Sequence, residues 1–123
     1  MTDTPLLKPV IWIGSSLRDL RSLPAPVQDY IGYALHLAQL GGKHRDAKAL
    51  KGFGGSGVQE IVVDYNRDTY RAVYTVRFAD RIYVLHAFKK KSKSGIATPK
   101  SDLELIERRL KQAQEIEKDR NRR

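Results

Sequence analysis

The apolar positions of this chain alternate between two periods, and each switch marks a new element. Pro9-Val10-Ile11-Trp12-Ile13 is a short apolar run closed by Gly14, the pattern of a strand. The period then lengthens. Ser15-Ser16 offer N-caps, Asp19 stands three residues after Ser16 as in a capping box, and Leu17, Leu20 and Leu23 mark one face of a short helix. Pro24 and Pro26 stop that helix and start another. Val27, Ile31, Ala34, Leu35 and Ala38 recur at helical spacing until Gly41-Gly42 ends the run. Two helices joined this closely predict a helical hairpin.

Residues 43–57 read as a basic, glycine-rich connection. Three strand patterns follow, at Val58–Asp64, Tyr70–Phe78 and Arg81–Phe88. Turns at Asn66-Arg67-Asp68 and Ala79-Asp80 separate them, which predicts an antiparallel meander. Thr98-Pro99 and Ser101-x-x-Glu104 both resemble helix starts, and Leu103, Ile106, Leu110 and Ala113 give the last helix an apolar stripe. The ends, residues 1–7 and the charged tail 117–123, are expected to be flexible. The expectation is a single α+β domain over residues 1–123. Its order is β-α-α-β-β-β-α, with a mostly antiparallel sheet and the helical hairpin on one face.

The two-residue turn at Ala79-Asp80 predicts a register that pairs Arg71 with Phe88, Val73 with His86 and Thr75 with Val84. Strict alternation then places Tyr70, Ala72, Tyr74, Val76, Phe78, Tyr83 and Leu85 on the opposite, more apolar face, packed on the helices. Arg71 and His86 are expected to project from the other face, near a cluster of lysines.

Composition sharpens this picture. At 123 residues the chain buries roughly two-thirds of its unfolded surface, enough for a core without staples. It contains no cysteine, which removes disulfides, thiolate zinc sites and cysteine nucleophiles together. No apolar run is long enough for a bilayer and no signal-peptide pattern stands at the start, so a cytoplasmic location and no membrane partner are expected. The net charge is +9, from 23 Lys/Arg against 14 Asp/Glu. The excess is concentrated: from His86 to Lys100 there are five lysines (Lys89, Lys90, Lys91, Lys93 and Lys100) and no carboxylate. Positive charge at the rim of a sheet suits a polyanion, RNA first.

Two other signals carry no chemistry. Gly52-Phe-Gly54-Gly-Ser-Gly57 matches G-x-G-x-x-G but precedes a strand instead of opening a helix, so no dinucleotide site is expected. His36 and His44 stand apart from any ligand cluster, so neither metal nor cofactor is expected. Tyr65 and Phe88 are read as packing residues first and base-stacking residues second.

Several motifs together resemble a known family. They are Trp12-x-Gly14-Ser-Ser-Leu17-x-x-Leu20, Leu50-Lys51-Gly52, Gln59-Glu60-Ile61, Tyr70-Arg71-Ala-Val-Tyr74, Leu85-His86-x-Phe88-x-Lys90-Lys91 and Thr98-Pro99. In this order the chain is similar to the HigB-like branch of the RelE/ParE toxin superfamily. The resemblance implies the toxin of a type II toxin–antitoxin pair, an mRNA endonuclease dependent on the ribosome. It would be neutralised by a protein antitoxin, expected to be of helix-turn-helix type and to be its sole link to DNA. ParE-like members share the fold but inhibit DNA gyrase without cleaving RNA, and a non-catalytic RNA-binding module is a third reading.

The resemblance places Arg71 on the scissile phosphate and lets Lys89, Lys90 and Lys91 match the basic residues after the last strand. Glu60 and Val62 stand where some RelE-like members have lysines, and no tyrosine follows Tyr83. Metal-free cleavage needs a base for the 2′-hydroxyl, cations for the phosphorane and an acid for the leaving 5′-oxygen. The catalytic candidates are Arg71, Lys90, Lys91, His86 and Glu60. Glu60 is a base or a partner for Arg71, and His86 is a base, an acid or a structural strand histidine. Lys51, Arg67, Lys89 and Lys93 are the RNA-binding candidates.

Overall fold

The computed structural model describes residues 7–55, 57–90 and 98–122. Strand β1 spans Val10–Trp12, helix α1 Ser16–Arg21, and helix α2 Ala25–Gln39. A two-residue strand, β2 at Lys48–Ala49, precedes β3 at Val58–Tyr65, β4 at Asp68–Thr75 and β5 at Ile82–Lys89. Helix α3 runs over Lys100–Arg120. The fold is α+β: five strands in the order β1-β5-β4-β3-β2, and three helices.

Two features differ from the expected order. Strand β2 pairs antiparallel with β3 (Lys48 with Glu60, Ala49 with Gln59) inside the segment expected to be a connection. Two residues carry no period, so their pairing is invisible in sequence. Strand β1 pairs in parallel with β5, making the sheet mixed. From β1 the chain passes through α1 and α2 to β2 at the opposite edge of the sheet, and returns through β3 and β4 to β5.

Local chemistry explains the joins. Asn66 and Arg67 both have positive φ, at 52° and 71°, between the paired residues Tyr65 and Asp68. This two-residue turn carries the twist that antiparallel strands require. The expected capping box does not form. The Ser16 hydroxyl instead donates to the Val84 carbonyl at 3.1 Å inside the core, and Ser15 donates to Asp19 at 2.7 Å.

The β4–β5 register begins as expected, with Arg71 opposite Phe88 and Val73 opposite His86. It then shifts, so that Tyr74 faces Val84 and Leu85 is an extra residue. A bulge of this kind reverses the alternation beyond it. Ile82 and Val84 therefore pack with Tyr70, Ala72 and Tyr74 against α1 and α2. Tyr83 and Leu85 turn to the other face, and Phe78 packs there with them, contrary to the simple alternation. The carbonyl of the bulged Leu85 accepts a hydrogen bond from Arg109 of α3 at 2.9 Å.

That other face is covered. Ile106, Leu110 and Ala113 of α3 pack on Val73, Tyr83, Leu85 and Phe88, forming a second core. Strand β5 is buried from Ile82 to Phe88 because both its faces are occupied. Arg71 and His86 thus lie under α3 instead of projecting into solvent. Helix α3 runs on to Arg120, into the tail expected to be flexible. Glu117 is buried, accepts from the Tyr83 hydroxyl at 2.6 Å and from Arg120 at 2.8 Å, and Arg120 reaches Asp80 at 3.1 Å. Burial and the nearby Glu117 carboxylate raise the Tyr83 pKa, so the phenol stays a donor.

Candidate functional site

Antiparallel pairing of β2, β3 and β4 sets Lys48, Glu60 and Val73 in one row across the sheet, with Arg71 one pleat away on the same face. Thr98, just ahead of α3, and Leu103 within it stand across from this row. Between them lies a cavity of about 480 Å³, lined by Lys48, Lys51, Glu60, Arg71, Thr98 and Leu103 among others.

Glu60 and Arg71 are both buried, 5% and 4% exposed. The Arg71 guanidinium donates through Nη1 to Glu60 Oε2 at 2.8 Å and to the Thr98 hydroxyl at 3.1 Å. Lys48 Nζ stands 3.8 Å from Glu60 Oε1. A single carboxylate therefore lies between a buried guanidinium and an exposed ammonium. A buried carboxylate is tolerated only when its charge and lone pairs are met in this way. Lys51 is exposed at the rim. Sequence reasoning missed Lys48 and Thr98. Lys48 sits in a strand too short to read, and Thr98 takes its role from the return of the chain onto β4.

Among the described residues, the other candidates do not line this cavity. His86 lies in the same row but beyond Val73, two strand spacings or roughly 10 Å from Glu60. Its Nε2 is 2.8 Å from Asp102 Oδ1 at the start of α3, and its ring stacks on Phe88 at 4.3 Å and 16°. Burial lowers its pKa and outweighs the opposing pull of Asp102. The neutral ring donates from Nε2, and Nδ1 is buried with no partner among the described residues. His86 joins β5 to α3. Phe88 is likewise a packing residue.

Arg67 is exposed at the tip of the β3–β4 hairpin. Lys89 pairs with Asp68 at 3.1 Å and stands opposite Tyr70, whose side chain packs on the α2 side of the sheet. Lys90 continues past β5, its backbone amide donating to the Thr69 carbonyl at 2.8 Å. Lys91 and Lys93 lie outside the described residues. Among the described residues no group of three histidine or carboxylate side chains is placed to hold a metal ion.

The sequence profile of the phage-derived Gp49-like family (DUF891) matches residues 18–111, a span that contains every residue lining the cavity. The chain belongs to that family. Gp49-like proteins are known as RelE-like toxins of type II toxin–antitoxin systems, which makes an antitoxin the partner this Gp49-like chain is expected to have. No curated protein and no solved structure matches it significantly. Among the described residues of this Gp49-like chain, no helix is long and apolar enough to cross a membrane.

Proposed function

We propose that this chain is the toxin of a type II toxin–antitoxin pair, of the HigB-like kind, and acts as a metal-independent mRNA endonuclease on the ribosome. The observation that carries the reading is the cavity in which Glu60 is held by Arg71 with Lys48 and Lys51 at the open side. A carboxylate beside cations can supply the base and the charge stabilisation that 2′-hydroxyl attack on a phosphodiester needs. Glu60 takes the proton from the 2′-hydroxyl as the 2′-oxygen bonds to phosphorus. The bond to the 5′-oxygen breaks, and that oxygen leaves with a proton. The products are a 2′,3′-cyclic phosphate and a 5′-hydroxyl. Lys48 and Lys51 meet the phosphate as exposed point charges. Arg71 fixes the carboxylate, and its fork reaches a phosphate oxygen once the Thr98 hydroxyl yields its place. Lys90 and Lys91 are the candidates for protonating the leaving oxygen.

Primer-extension mapping of messages from cells briefly expressing the chain tests this, beside a Glu60→Gln variant. Glutamine keeps an oxygen for Arg71 and removes the base. The expected result is cuts within translated frames that fall by roughly 10²-fold or more in the variant. Arrested growth with intact messages would move the reading to gyrase inhibition, which a supercoiling assay detects.

A further inference from the structure

A second cavity, of about 500 Å³, lies on the far side of the basic connection, lined by Tyr30, Tyr33, Leu37, His44 and Arg45. Tyr30 and Tyr33 are three apart on α2 and so share a face. The chain turns at Gly41-Gly42 and lays His44 against both rings. The centroid distances are 5.1 Å to Tyr30, tilted at 54°, and 5.8 Å to Tyr33, edge-on at 84°. His44 is 7% exposed and Tyr33 57%.

The arrangement is fixed by hydrogen bonds. The Tyr30 hydroxyl donates to Asp46, and the Asp46 amide donates to His44 Nδ1 at 3.0 Å. An Nδ1 that accepts leaves the proton of a neutral ring on Nε2. The polar contacts of His44 among the described residues are made through Nδ1, which leaves Nε2 for a ligand. Tyr33 presents an exposed ring beside it.

The charge around this pocket selects the ligand. Between residues 43 and 51, Lys43, Arg45, Lys48 and Lys51 are all exposed, and Asp46, engaged by Tyr30, is the sole carboxylate. Lys43 and Arg45 face no carboxylate within ion-pair distance among the described residues. The segment runs from the aromatic pocket through β2 to the rim of the Glu60 cavity. A cationic track ending in a stacking platform is how single-stranded nucleic acid is held. The four exposed cations, with one engaged carboxylate among them, favour a polyanion as the occupant.

We propose that the Tyr30–Tyr33–His44 pocket binds one unpaired base of a single-stranded RNA whose backbone follows Lys43, Arg45, Lys48 and Lys51 toward the Glu60 cavity. The base stacks on Tyr33, and His44 Nε2 donates to an acceptor on its edge. This rests on RNA being the target of the chain but not on cleavage.

The test is fluorescence anisotropy with a short labelled single-stranded RNA and an abasic ribose-phosphate oligomer of equal length. Glu60→Gln protein is used throughout, so that cleavage cannot intrude. Tyr33→Ala in this background is expected to weaken RNA binding about tenfold. It should leave binding of the abasic oligomer unchanged, and Tyr33→Phe should retain affinity. Tyr33 is exposed, so the variants should melt as the parent does. Equal binding of both oligomers, or a Tyr33→Ala protein with parental RNA affinity, would overturn the pocket while leaving the RNA reading in place. Binding of neither oligomer at low salt would overturn both. Protection of Tyr33 by a protein partner, with RNA binding unaffected, would reassign the pocket to protein docking.

Discussion

Glu60 and Arg71 share a buried ion pair, which changes how either can be probed. Removing Arg71 takes the nearest cation, at 2.8 Å, from a buried carboxylate. Arg71→Ala is therefore expected to lower stability by about 3–5 kcal/mol, measured by denaturant unfolding. A loss of toxicity in that variant would not separate chemistry from folding. The pair Glu60→Leu with Arg71→Met should return stability to near the parent's, since buried ion pairs are often replaceable by apolar residues of similar volume. It should still abolish cleavage. A double variant that melts like the parent and still cuts messages would remove both residues from the site. The isosteric Glu60→Gln variant is the cleaner probe of chemistry, because the carboxamide keeps an acceptor for the guanidinium.

Between elements, α3 is held to the sheet by polar clasps at several points along its length. Near its start Asp102 meets His86. In its middle Arg109 donates to the Leu85 carbonyl at 2.9 Å and to the Ser15 hydroxyl at 3.0 Å. At its end Glu117 meets Tyr83. Gly14 lies directly over the Arg109 guanidinium: its φ is +57°, and an added Cβ would sit 3.0 Å from Nε and Nη2. Gly14→Ala should cost roughly 1–2 kcal/mol for the left-handed backbone, plus the clash. In an Arg109→Ala background only the backbone part should remain, and a thermal-unfolding double-mutant cycle reads the difference. Additive penalties would show that the two sites do not press on each other. Tyr83→Phe strips a buried donor from Glu117 and should cost about 1–3 kcal/mol in the same assay.

Across the molecule as a whole, charge and pH act through groups that tertiary packing has placed. The fold favours neutral His86, because burial holds its pKa below the ordinary value of about 6.5. As pH falls, the unfolded chain takes up that proton first. The contribution of His86 is therefore complete above about pH 6.5 and is lost as pH falls through the depressed folded value. Denaturant unfolding between pH 5 and 7.5 should show this fall, and a His86→Gln variant should show a flatter one. Equal slopes would exclude His86 as the sensor. The net charge of +9 should make RNA binding steeply salt-dependent. Lys48→Ala with Lys51→Ala should reduce the slope of log K against log salt by roughly one for each phosphate left without its lysine. An unchanged slope would take the rim lysines off the backbone path.

The features legible in the chain itself are periodic or compositional. The long repeats of α2 and α3, the strand-forming runs of β3 and β4, the turn at Asn66-Arg67 and the basic surplus all act over neighbouring residues. They are written wherever side-chain spacing matches a helix or a strand. Tertiary packing settled whatever depends on residues far apart in the chain. Strand β2 exists because β3 offers it an edge. The Leu85 bulge sends Tyr83 to α3 because a carbonyl freed from the ladder can be satisfied by Arg109, 24 residues on. Lys48 joins Glu60 and Arg71 because the strands that carry them pair side by side. Thr98 joins them because the chain returns over β4. His86 leaves that group because it stands two strand spacings from Glu60, and Lys89 because it lies on the other face of the sheet. Periodicity names the faces of elements, whereas pairing across the sheet decides which side chains share a cavity.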